Sequence, residues 1–420
     1  MAELLSLPNE TLQAICYYLC CHCSVSRYEP NEPTLPALSA LSQACSRLRE
    51  VAQPILFHHL HHRSENPVPL LRNLLARPDL AANIQGAYVG VQWDIGKGLS
   101  SEDVDFCDNV MAKFFREDGC PFNVSPSWFT REYVERTRDI LFASQPEAAL
   151  CAIAIALMPN IRVLDLETGY FWRFPFCLPG SLPHLTELNF RHGDTERGQD
   201  LIAVEELLAA ATNLKSFNCF MLKQISGNFF HPNVVELNLT SSHLKAPCFF
   251  ALMTGLPNLA VFSYESGGIK VSDGPEAYPL DISHALLIRA RTLQVVAFNL
   301  RDAEYPGVVE AGHVMTSLKE MRRLKCLTIH SHELYGDDIF DTLNDDSRLI
   351  DFLPNSIEHL TLEGLPDFKL HDVLSFGKVS KTQFPRLRIL QIPGYTQEQV
   401  AELEKVFSQT KIEAPIVHRN

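Results

Sequence analysis

The stretch Pro159-Asn160-Ile161-Arg162-Val163-Leu164-Asp165-Leu166 places apolar residues at i, i+3 and i+5 behind a turn, and this spacing decides the fold. The phrase returns as Leu185-Leu188-Phe190, Leu214-Phe217-Cys219, Val234-Leu237-Leu239 and Leu259-Phe262-Tyr264. It continues as Leu293-Val296-Phe298, Leu324-Leu327-Ile329, Ile357-Leu360-Leu362 and Leu387-Leu390-Ile392, with Ile84-Ala87-Val89 a weaker member ahead of them. The step from i+3 to i+5 has period 2, so those two side chains share one face of a short strand and i+4 and i+6 face the other way.

Successive copies start about 20 to 34 residues apart. Helix-like stretches lie between them: Ala148–Met158, Asp200–Ala211, Ile282–Ala290, Val308–Met321 and Gln397–Ser408. A strand plus a helix cannot bury its own apolar side until neighbours stack on it. The pattern resembles leucine-rich-repeat proteins, which implies an α/β solenoid of about nine to ten irregular strand-helix repeats, a horseshoe with a C-terminal cap, over residues 148–420. A doubly wound α/β domain also alternates strands and helices, but no Gly-rich phosphate loop follows any of these strands. No asparagine position runs through all the copies. Long loops near Val271–Pro279 and His330–Asp346 should emerge on one rim.

Residues 1–62 do not fit the repeat. Leu12, Ile15, Cys16 and Leu19 form one apolar helical stripe, with Pro8 at the start and Glu10 favouring the helix dipole. Leu38, Leu41, Cys45 and Leu48 form a second, following Pro36. A third short helix is expected from Pro54, carrying Ile55, Leu56 and Leu60. So few residues cannot cover all these apolar groups alone, so a partner should cover some of them.

The strings Leu7-Pro8-Asn9-Glu10-Thr11-Leu12, Leu38-Ser39-Ala40-Leu41-Ser42-Gln43-Ala44-Cys45-Ser46-Arg47-Leu48-Arg49 and Ala52-Gln53-Pro54-Ile55-Leu56-Phe57-His58-His59-Leu60 resemble the F-box of filamentous-fungal F-box proteins. Arg77-Pro78-Asp79-Leu80-Ala81 is similar to that group as well. The resemblance implies a small all-helical domain docking on a Skp-type adaptor, and through it a cullin-RING ubiquitin ligase, while the repeats select a protein substrate. By the same resemblance Leu7, Pro8, Leu12, Ile15, Leu19, Leu38, Leu41, Cys45 and Leu48 are adaptor-facing or F-box core residues. The chain departs from the family in a long loop, Cys20 to Pro36, between the first two helices. Two rival readings are a leucine-rich scaffold whose N-terminal helices only cap the repeats, and an F-box protein working outside ubiquitination.

Residues 63–147 are read as a linker and an enlarged first repeat. Two helices are expected there, Glu102–Phe115 and Trp128–Phe142, forming either a cap on the open end or a substrate-contacting arm.

The remaining signals narrow the function by exclusion. A net charge of -14 argues against a nucleic-acid backbone binder. The longest apolar run, Ala148 to Met158, is about half of a bilayer span. Twelve cysteines, among them Cys45, Cys151, Cys219 and Cys326 set singly among apolar residues, with Glu3 at the N-terminus and no basic segment there, suit a reduced cytoplasmic or nuclear protein. No HExxH, GxxxxGK[ST] or GxSxG string is present, so a non-catalytic subunit without a cofactor is expected. Cys16, Cys20, Cys21, His22 and Cys23, with His58, His59, His61 and His62, invite a zinc reading. Without a second metal-binding pair downstream they read instead as a helix end plus loop, with no metal.

The binding face is therefore expected on the solvent side of the strands, the concave face. The candidates are Asp165, Glu167, Asn189, Arg191, Asn218, Phe220, Asn238, Thr240, Glu265, Asn299, His330 and Glu363. Phe220 is either an exposed aromatic anchor or a residue packed under a rim loop.

Overall fold

The computed structural model describes residues 2–20, 23, 34–63, 67–90, 100–114, 146–168, 172–193, 198–226, 229–267, 277–300, 311–336, 347–363, 370–392, 397–408, 410 and 412. The chain forms two compact units, Met1–Gly193 with Ala203–Leu214, and Asp194–Ile202 with Lys215–Asn420.

The first unit opens with helices α1 (Ala2–Leu5), α2 (Asn9–Tyr18), α3 (Thr34–Ala44) and α4 (Ser46–Leu56). Cys16, Cys20, Leu38, Ala52 and Ile55 make a small core, with Leu19, Leu41, Val51 and Leu56 packed against it. The stripe Leu38-Leu41-Cys45-Leu48 does not lie on one helix. Cys45 is extended, at φ -163° and ψ 168°, so the chain breaks there and Leu48 arrives on α4. The third helix accordingly starts at Ser46 rather than Pro54, which sits inside it without an N–H to donate.

The histidine run is not a helix end, and Leu60 is not helical. His59–Arg63 is strand β1 and pairs in parallel with β2 (Gly86–Gly90), His59 opposite Gly86 and Arg63 opposite Gly90. β2 pairs with β3 (Val163–Thr168), and β3 with β4 (Glu187–His192), all in parallel. The helices Val68–Ala76 and Pro146–Ala156 pack on each other. The expected helix near Glu102 forms over Ser101–Phe114. Arg72 joins it to Val68–Ala76 through Glu102, Asp103 and a guanidinium stacked 4.6 Å from the Phe106 ring. Trp128–Phe142 lies outside the described residues.

The second unit holds β5 (Gln199–Asp200), β6 (Ser216–Phe220), β7 (Leu222–Gln224), β8 (Glu236–Ser242), β9 (Val261–Ser266), β10 (Val295–Asn299), β11 (Cys326–His330), β12 (His359–Glu363) and β13 (Ile389–Gln391). β5 and β7 make a separate parallel pair. The other seven run in the order β6-β8-β9-β10-β11-β12-β13, and their register pairs are parallel. Among the described residues the two units hold eleven main strands in a mixed α/β fold.

The period-2 reading holds in all nine copies. Every i, i+3 and i+5 residue, from Ile161, Leu164 and Leu166 to Leu387, Leu390 and Ile392, is buried. A backbone device holds the copies in register: the i+1 carbonyl of one accepts two N–H groups from the next. Gln85 accepts from Arg162 and Val163, Arg162 from Thr186 and Glu187, Val235 from Ala260 and Val261, and Lys325 from Glu358 and His359. The His58 carbonyl does the same for Gln85 and Gly86, which makes Phe57–His62 a first copy ahead of the weaker one. Turn asparagines add a side-chain bond of 2.8 Å in three copies, Asn160 to the Ala82 carbonyl, Asn213 to Pro183 and Asn258 to Pro232.

The helices Pro146–Ala156, Pro279–Leu287 and Gln397–Phe407 lie where the spacing predicts them. The expected helix Asp200–Ala211 is a 3-10 turn, Leu201–Val204, followed by Glu205–Ala210. Val308–Met321 is not a helix in its described part, which holds only the 3-10 turn Ala311–His313. Ala246–Gly255 and Leu370–Gln383 are further helices.

Candidate interaction surfaces

The N-terminal residues separate by burial. Leu12, Leu38 and Leu48 are buried, and Leu38 belongs to the small helical core. Leu7, Ile15, Leu19, Leu41 and Cys45 are half-buried, and Pro8 is exposed. Pro8, Thr11, Ile15 and Tyr18 follow i, i+3, i+7 and i+10, so they line one outward side of α2. Tyr18 is 82% exposed and Tyr17 39%, large aromatic surfaces that an inward-stripe reading does not register.

Arg47 fixes the segment leading into α2. Its guanidinium donates to the Leu5 carbonyl, to the Leu7 carbonyl at 2.6 Å and to Asn9 Oδ1 at 3.0 Å. A planar fork of five N–H donors suits three acceptors set around a turn. Leu7 and Pro8 are thereby held at the N-terminus of α2 from a residue on α4.

In the first unit the solvent side of the strands carries a connected cluster. Tyr88, at the i+4 position of β2, donates to Glu167 Oε2 at 2.5 Å, and Arg191 pairs with the same oxygen at 3.2 Å. The Arg191 guanidinium lies 5.1 Å from the Tyr88 ring centre and His61 stacks on that ring at 4.6 Å. Burial, then the hydrogen bond to Glu167, raises the Tyr88 phenol above its usual pKa, with Arg191 opposing. Gly90 makes room for the cluster, since a Cβ there would stand 2.9 Å from Tyr88 Oη and 3.3 Å from Glu167 Cβ. Asn189 Nδ2 donates to Asp165 Oδ1 at 2.5 Å and Glu187 Oε1 at 3.1 Å.

In the second unit Asn238 Nδ2 donates to Asn218 Oδ1 at 2.6 Å and Glu236 Oε1 at 2.9 Å. Thr240 and Glu265 are exposed, while Phe220, Asn299 and Glu363 are half-buried. His330 does not belong to this face: it is 2% exposed. The helix Ser331–Tyr335 begins directly after it and turns the chain inward. Glu333, fully buried, accepts the His330 N–H at 2.9 Å and the Leu300 N–H at 2.8 Å. Burial raises its carboxyl well above the ordinary glutamate range, against the two backbone donors. The first stretch of strand face cross-bonds amide, carboxylate and guanidinium groups, and the second amide and carboxylate groups.

The cysteine-histidine group reads differently in three dimensions. Cys20, Cys23 and His58 converge, with all three donor atoms within 4.8 Å of one another. Cys21 and His22 lie outside the described residues. None of the nine described cysteine side chains forms a disulfide, and burial raises the Cys177 and Cys219 thiols far above their usual range. Among the described residues, no helix is long and apolar enough to cross a membrane. No protein-family profile matches the chain, and no curated protein matches it.

Proposed function

We propose that this chain is a substrate receptor of a cullin-RING ubiquitin ligase, an F-box-like helical segment followed by a leucine-rich-repeat solenoid. The observation that carries the reading is the Arg47-held Leu7-Pro8 segment beside an outward Pro8-Ile15-Tyr18 side, in the string that resembles an F-box. A rigid, partly apolar edge of this kind suits a pre-organised protein interface, because little side-chain entropy remains to be lost on docking. Leu7, Pro8, Ile15, Leu19, Leu41 and Cys45 are then the adaptor contacts, and Leu12, Leu38 and Leu48 the support beneath them. The protein substrate is bound by strand-face groups, Asp165, Glu167, Asn189 and Arg191 in the first unit or Asn238, Thr240 and Glu265 in the second. Ubiquitin transfer belongs to the RING–E2 partners, and this chain supplies proximity.

The test is size-exclusion of the full chain with a Skp-type adaptor and a cullin-RING pair. Co-elution as one stoichiometric species is the expected result, and elution of the chain alone contradicts the proposal. A second reading has its own observation. The His58 carbonyl, next to α4, accepts the first N–H pair of the strand register, so the helices could serve only as a cap on a leucine-rich scaffold.

A further inference from the structure

We propose that Cys20, Cys23 and His58 bind one zinc ion that staples the end of α2 to the end of α4. The two cysteines stand at the spacing C-x2-C, and the donor that completes the set comes from 35 residues downstream. Cys23 Sγ lies 3.3 Å from His58 Nδ1. Cys20 Sγ lies within 4.8 Å of both partner donor atoms. Around a tetrahedral zinc, with Zn–S near 2.3 Å and Zn–N near 2.0–2.1 Å, such atoms are separated by roughly 3.5–3.8 Å. The present arrangement closes on an ion by side-chain adjustment alone, chiefly of exposed Cys23.

Backbone hydrogen bonds anchor each of the three donor residues. Cys20 N–H donates to the Tyr17 carbonyl and Cys23 N–H to the Cys20 carbonyl. His58 N–H donates to Ile55 at the end of α4, and the His58 carbonyl is held by Gln85 and Gly86. Cys20 and His58 are buried and Cys23 is exposed, so the ion sits at the edge of the helical core, and the described residues supply three of its ligands.

The chemistry of the donors selects the ion. Two thiolates and an imidazole are soft and borderline ligands that favour zinc over magnesium or calcium. Binding converts two thiols to thiolates and releases two protons to solvent, while His58 coordinates through Nδ1 and keeps its proton on Nε2. The Cys20 thiol gives up its weak donation to the Ile55 carbonyl at 3.8 Å. Two thiolates neutralise the dication, so no net charge is placed beside the apolar Cys16, Leu38, Ala52 and Ile55. The gain is structural: a helical cluster this small has a thin core, and a metal clip across a long loop is how such units reach stability.

The test uses the full chain, reduced and stripped with a chelator, then titrated with zinc chloride against a chromophoric chelator. Cobalt chloride serves as a spectroscopic stand-in for thiolate ligation. The expected result is one zinc per chain and a thiolate-to-cobalt charge-transfer band. Both are lost in Cys23→Ser and retained in Cys326→Ser, a half-buried cysteine on β11. The thermal midpoint should rise with zinc in the wild type and stay unchanged in Cys23→Ser, with equal circular dichroism before metal is added. Substoichiometric zinc in the wild type, or full binding in Cys23→Ser, overturns the proposal.

Discussion

Arg47 Nη2 donates to the Leu7 carbonyl oxygen at 2.6 Å across forty residues of chain. That bond, with those to Leu5 and Asn9, ties the start of α2 to α4. Lysine carries the same charge but lacks the planar fork, so Arg47→Lys should not substitute. We predict that Arg47→Lys lowers stability by about 1–3 kcal/mol, the cost of leaving bonded polar groups unpaired. Adaptor affinity should fall roughly tenfold, equal to one well-placed hydrogen bond. Titration calorimetry and a denaturant melt read the two effects separately, and wild-type values for both would remove Arg47 from the account.

Tyr18 and Leu38 test the division between outward and inward residues. Tyr18→Ala removes an aromatic that is mostly in solvent, so stability should change by no more than about 0.5 kcal/mol while adaptor capture weakens. Leu38→Ala should cost about 2–5 kcal/mol, because the residue is fully buried. A large stability loss in Tyr18→Ala would mean that α2 is rotated from the orientation described.

The strand register makes a sharper prediction from two adjacent residues on β8. Leu239 is at i+5 and fully buried, and Thr240 at i+6 is exposed. Leu239→Ala should destabilise the chain by about 2–5 kcal/mol and Thr240→Ala by less than about 0.5 kcal/mol. Similar midpoints for the two variants in urea would contradict the register.

Much of this fold was legible because a strand face is written in single residues. Leu164 and Leu166, or Leu360 and Leu362, are two apart and both buried, and no loop or distant contact alters that. Helix spacing was less reliable. Cys45 fits an apolar stripe, yet an extended backbone there divides it between α3 and α4. Ala246–Gly255 is apolar on nearly every side, so it shows no stripe to read. The first strand was hidden because His59, His61 and His62 surround its single leucine. The surface residues were legible as a face but not as contacts. His330 leaves that face because a helix begins at Ser331, and Tyr88 enters it through Glu167 and Arg191. Bonds spanning 79 residues, as from Tyr88 to Glu167, have no signature in local spacing.

Glu333 predicts a pH dependence. Burial raises its folded-state pKa above that of the unfolded chain, so between the two values the folded chain binds more protons. Stability attributable to this group is then fully present below the ordinary glutamate range and is lost as pH rises through the raised value. The slope at full effect is about 1.4 kcal/mol per pH unit. Glu333→Gln removes that slope and one of two backbone acceptors, so it should be less stable than wild type at low pH, with the gap narrowing as pH rises. Urea midpoints measured across that window check this, and a widening gap would reverse the sign of the argument.

The most direct measurement is co-purification of the intact chain with a Skp-type adaptor, in parallel with a variant carrying Leu7→Ala and Pro8→Ala. The account predicts one adaptor per intact chain and loss of most of it in the double variant, with both chains equally folded by circular dichroism. No adaptor on the intact chain, or equal capture by the two, would contradict the receptor reading.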